Sequence, residues 1–97
     1  MQYSFTDKAE KDLEGIIDFT VYRWGRIQAD AYITRLQQTL THVSVFPKTA
    51  KHRPELGNGI YSFPFQRHLI YFVISEDTLT ILRVLHHSMD PHHHIDT

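Results

Sequence analysis

A 97-residue chain with a formal net charge of -1, 41% hydrophobic and 22% charged, has the size and composition of one globular domain with a modest core. It has no cysteine, which removes disulfides and cysteine-ligated zinc or iron–sulfur sites and suits a reducing cytoplasm. No apolar run nears the roughly 20 residues of a membrane span, the N-terminus lacks the basic and apolar regions of a secretory signal, and the charge argues against holding nucleic acid mainly through its phosphates.

In chain order, Tyr3 to Phe5 forms a short apolar start that suits a strand. Asp7 followed by Glu10 then reads as a helix start, with Asp7 as the cap. Ala9, Leu13, Ile16, Ile17, Thr20 and Trp24 recur at helical spacing, and Gly25 suits the helix end. A second helix runs from about residue 26 to 45, with Ala29, Tyr32, Ile33, Leu36, Leu40 and Val43 on one stripe and Pro47 ending it. So short a connection predicts an antiparallel helical hairpin.

Residues 47–59, PKTAKHRPELGNG, read as a loop. Strands follow: 60–65, with Pro64 marking an edge or a bulge, then 68–74, a Glu76-Asp77 turn, and 78–85. Both longer strands are apolar on both faces, so the second side of the sheet needs at least partial cover. The whole is an α+β domain, β-α-α-β-β-β, with the hairpin packed on a small antiparallel sheet. It occupies residues 1–97, and 92–97 are expected to trail as a flexible tail.

Three kinds of chemistry fit the residues. The first is metal binding by His86, Asp90, His92, His93 and His94, five groups close in sequence. Their spacing matches no site pattern, and neighbouring strand histidines point to opposite faces, so no metal or cofactor is expected. The second is RNA cleavage without metal, which needs a base near the ribose hydroxyl, cations for the phosphorane charge and an acid for the leaving oxygen. Arg67, Arg83, His68, His86 and the loop cations Lys48, Lys51 and Arg53 are the right types. Each also has a plain structural reading: sheet arginines pair or snorkel, and a histidine opening an apolar strand is commonly hydrogen-bonded. Arg83 in a small sheet must be paired or presented, so its loss should damage folding or function. The third is a protein-binding module using exposed members of the set Tyr22, Trp24, Tyr61, Phe63 and Phe65.

The ordered set AEKDLEGIIDFTVYRWGRIQADAYITRL, FPKTAKHRPELGNGIYSFPFQRHLIYFVI and ILRVLHHSMD resembles the ParE branch of the ParE/RelE toxin superfamily nearly end to end. The Arg-Val-Leu-His element followed by Met-Asp carries the likeness best. The resemblance implies the toxin half of a bacterial type II toxin–antitoxin pair, acting by binding DNA gyrase, not by catalysis. It also implies neutralisation by a ParD-like antitoxin in a hetero-oligomer, with no sequence-specific DNA binding by the toxin itself. Candidate target contacts on that reading are Arg83, His86, Met89, Asp90 and Trp24. The competing reading is a RelE-like ribosome-dependent mRNA interferase using Arg67, Arg83, His86, Lys51 and Arg53. A diverged, non-toxic complex partner is the third.

Overall fold

The computed structural model describes residues 1–95. Strand β1 (Gln2–Phe5) leads into helix α1 (Asp7–Trp24) and helix α2 (Arg26–Val45). After a 3-10 turn come the two-residue strand β2 (Lys51–His52), a second 3-10 turn, β3 (Ile60–Phe65), β4 (His68–Ser75) and β5 (Thr78–His86). The five strands form one sheet in the order β1-β5-β4-β3-β2. The expected α+β arrangement holds, with one difference: the sheet is mixed, because β1 lies parallel to β5 in the register Gln2↔Thr78 to Phe5↔Ile81. The helical hairpin is the crossover that brings the chain back onto the sheet in that direction.

Thr6, not Asp7, caps α1. Its hydroxyl accepts from the Ala9 N–H (3.1 Å) and donates to the Leu82 carbonyl (2.9 Å), tying the helix start to β5. A single residue, Gly25, separates the helices at φ +92°, ψ 174°, a backbone region that side-chain-bearing residues avoid.

The main core lies between helices and sheet. α2 supplies Tyr32, Leu36, Leu40 and Val43, and the sheet supplies Phe65, Ile70, Phe72, Leu79, Ile81 and Val84. From α1 only Ala9 is fully buried, with Leu13 and Ile16 packed at the margin. Trp24 leaves the expected stripe and stands 67% exposed. Of the other aromatics considered as surface, Tyr22 is exposed, Phe65 is buried, and Tyr61 and Phe63 pack at the core margin.

A second apolar cluster covers the opposite face of the sheet: Leu56, Ile60, Tyr71 and Leu85, joined by Leu69, Val73, Leu82, Met89 and Ile95. β4 alternates cleanly between the two clusters. β5 does not, because the pairing slips between Tyr71 and Phe72, which face Arg83 and Ile81 respectively. This bulge leaves Leu82 without an opposite residue and lets Val84 follow Ile81 into the helix-side core.

The C-terminal segment also departs from expectation. Pro91–His93 forms a 3-10 turn capped by the Asp90 side chain, and Ile95 packs on the second cluster. His94 and Ile95 thus contact the fold through a carbonyl and an apolar side chain, whereas the His92 and His93 side chains are exposed; the remainder of the expected tail, 96–97, lies outside the described residues.

Candidate functional site

An open groove of about 1080 Å³ runs between α1, the start of α2 and the open end of the β4–β5 pair. Its apolar lining comes from Ile16, Phe19 and Trp24 on the helices and Val84, Leu85 and Met89 below. Its polar lining is Lys11, Asp12, Arg23, Gln28, Tyr32, Gln66, Arg67, His68 and His86. Asp12 is the only carboxylate lining the groove among the described residues, so the groove is cationic within a chain that is slightly acidic overall.

Asp12 is already engaged. Its Oδ2 accepts from Arg83 Nε (2.8 Å) and from the Val84 N–H (3.0 Å), while Oδ1 accepts from Arg83 Nη2 (2.9 Å). Arg83 Nη1 donates to the His94 carbonyl at 2.7 Å. With side chains only 17% and 15% exposed, this is a two-point ion pair that locks α1, β5 and the C-terminal turn together. Arg83, named from the sequence as a target contact or catalytic cation, is thereby occupied within the fold.

The other sequence candidates divide by position. Trp24, Arg67, His86 and Met89 all line the groove, with His68 beside them. Lys51, Arg53 and Asp90 do not. Arg53 donates through Nε to Glu55 (2.8 Å) and through Nη1 to Ser62 Oγ (3.1 Å), with its guanidinium 5.6 Å from the Tyr71 ring centre. The Glu55 hydrogen bond is the chief reason its pKa is held above the usual value. Lys51 sits exposed on the edge strand β2. Asp90 accepts from the His92 N–H and lies 3.4 Å from His93 Nε2 on the surface.

At the open end of the β4–β5 pair three imidazoles gather, two of which, His68 and His86, line the groove. His68 and His86 face each other across β4 and β5, ring centres 5.7 Å apart and edge to face. His87 lies 4.4 Å from His86. The Tyr32 hydroxyl is 3.5 Å from His68 Nδ1, a long contact, and burial pushes its phenol up to about 12. Burial lowers the His68 pKa, and the neighbouring His86 and His87 lower it further. Among the described residues no group of three or more His, Asp or Glu side chains is placed to hold a metal ion, and the five C-terminal histidines and Asp90 form no common ligand set.

Sequence reading named Tyr22 and Trp24 as candidate exposed aromatics but missed Phe19 and Ile27 beside them at the corner of the hairpin. Phe19 (62% exposed), Tyr22 (87%), Trp24 and Ile27 (88%) stand out around Gly25. The signal was available: Tyr22 and Ile27 fall off the buried stripes of their helices, where an apolar side chain has no core to enter.

The family model for the ParE toxin of the type II toxin-antitoxin system, parDE, matches residues 3–91. Toxin ParE1 of Mycobacterium tuberculosis is 33% identical over 90 residues, 92% of each chain. Toxin ParE1 of Caulobacter vibrioides is 28% identical over 93 residues, 96% of each. The fold also matches a chain of the chromosomal ParDE TA system from P. aeruginosa, with a TM-score of 0.73, 20% identity, and coverage of 89% of this chain and 95% of that one. The chain belongs to the ParE toxin family of type II toxin–antitoxin systems.

Proposed function

We propose that this toxin inhibits DNA gyrase by binding it, and that a ParD-like antitoxin neutralises it in a hetero-oligomer within the cytoplasm. The observation that carries this reading is the family match across residues 3–91, reinforced by relatives named Toxin ParE1 that align over nearly their whole length. The site favours binding over catalysis. The groove is floored with apolar side chains and flanked by exposed aromatics, which suits a protein partner. Of the five side chains that RNA cleavage would call on, Arg53 and Arg83 are held in ion pairs and Lys51 stands apart from the groove, leaving Arg67 and His86. No described helix is long and apolar enough to cross a membrane.

Expression of the chain without an antitoxin tests the reading. Loss of supercoiling with trapped gyrase–DNA cleavage complexes and intact mRNA is the expected result. Rapid mRNA cleavage with gyrase unaffected would replace it with the interferase reading, and normal growth with the non-toxic one.

A further inference from the structure

The geometry points to an acid-sensitive latch at the open end of the β4–β5 pair: His68, His86 and His87 pack ring against ring beside Tyr32 and the Ser88 turn, in contacts that suit neutral imidazoles. This inference is independent of the partner that the groove receives.

Hydrogen bonding fixes how His86 is held. The Ser88 backbone N–H donates to His86 Nδ1 at 3.2 Å, and the Ser88 hydroxyl lies 2.7 Å from the same nitrogen. A backbone N–H can only donate, so Nδ1 must be an acceptor and the ring carries its proton on Nε2. Protonating Nδ1 turns two donors against each other and removes the partner of the Ser88 amide. That amide belongs to the tight turn closed by the Met89 N–H on the His86 carbonyl, the turn that carries Met89 into the groove wall.

His68 has its own reason to stay neutral. It is half-buried, and its ring stands edge to face against both Tyr32 and His86. Lys11 and Arg23 from α1 and Arg67 from the β3–β4 turn line the groove, but the ionisable groups that act on His68 are His86 and His87, which disfavour its protonation, and Asp12, which favours it. Tyr32 from α2 stays a neutral phenol at any physiological pH. The one acid, Asp12, is bonded to Arg83 and the Val84 N–H. Charging His68 is therefore opposed by burial and by two neighbouring imidazoles, and the one carboxylate that favours it is already bonded elsewhere.

The sign follows. The folded state resists protonating His68, whereas the unfolded chain takes up the proton near the ordinary value of about 6.5. The contribution of His68 to stability is present above that pH and is lost as pH falls below it, by up to about tenfold in the folding equilibrium constant per pH unit while the ring stays neutral in the fold.

NMR titration of the histidine ring resonances from about pH 8 to about pH 5 tests the latch in the unmodified chain. His68 should titrate below its ordinary value, and Ser88 amide exchange should accelerate toward acid pH beyond its intrinsic pH dependence. In the doubly substituted His86→Gln, His87→Gln chain, His68 should titrate at higher pH than in the parent. An ordinary midpoint for His68 in the parent overturns the inference, as does a Ser88 amide whose exchange, corrected for its intrinsic pH dependence, shows no such acceleration. If the double variant does not fold, the parent titration and the Ser88 exchange still decide it.

Discussion

Asp12 and Arg83, 71 residues apart in sequence, meet through two parallel N–H···O bonds, and the same arginine reaches the His94 carbonyl. One side chain thus joins the first helix, the last strand and the C-terminal turn. Arg83→Ala strips a mostly buried carboxylate of its partner and should lower stability by about 2–4 kcal/mol. Arg83→Lys should recover only part, because an ammonium does not span both carboxylate oxygens. Chemical denaturation reads both; an alanine variant as stable as the parent would remove the structural role assigned to the pair.

Trp24→Ala should separate folding from binding. The indole is largely exposed, so stability should stay within about 0.5 kcal/mol. As a large aromatic at the groove wall it is placed to act as a binding anchor, and its removal should weaken capture of a ParD-like antitoxin or of gyrase by tenfold or more. Thermal melting paired with titration calorimetry measures the two effects, and unchanged affinity for both partners would take Trp24 out of the interface.

Thr6→Ala removes the α1 cap and the bond to the Leu82 carbonyl together. The expected loss is about 1–2 kcal/mol. Asp7→Ala, at the residue that sequence alone assigns as the cap, should cost less, since its share is charge near the helix start. Equal losses in parallel urea titrations would contradict the cap assignment.

The C-terminal turn should respond to truncation but not to side-chain replacement. Arg83 uses the His94 backbone carbonyl, and Ile95 supplies the apolar contact. Changing His92, His93 and His94 together to alanine should leave stability within about 0.5 kcal/mol. Ending the chain at Asp90 should lower it by about 2 kcal/mol through lost packing and the freed guanidinium donor. A truncated chain with the parent melting temperature would mean that the docked turn adds nothing.

Much of this was legible in the residues. The period of Tyr32, Leu36, Leu40 and Val43 marks the buried face of α2, and each of these residues lies in the core. Two-sided apolar strands imply cover on the second face, and Leu56, Met89 and Ile95 provide it. Strand direction was not legible: nothing in Gln2–Phe5 says whether it joins β5 parallel or antiparallel, because pairing is decided by where the hairpin returns the chain. Nor was the bulge at Leu82, which shifts the alternation by one residue, so that Arg83 bonds to α1 while Val84 enters the core. Of the candidate residues, Trp24, Arg67, His86 and Met89 line one groove, a grouping that residue type alone did not indicate. Arg53 and Arg83 illustrate what residue type cannot convey: a cation's availability depends on carboxylates such as Glu55 and Asp12, which only the fold brings near.

The parallel pairing of β1 with β5 has a consequence for how the molecule is made. Gln2 leaves the ribosome early, yet its sheet neighbour Thr78 is synthesised near the end. Loop closure over that span delays the pairing, and the helices have no finished sheet to lie on until β5 emerges. The groove wall at Val84, Leu85 and His86 is therefore among the last parts completed. A nascent chain carries no assembled groove until its last strand is in place.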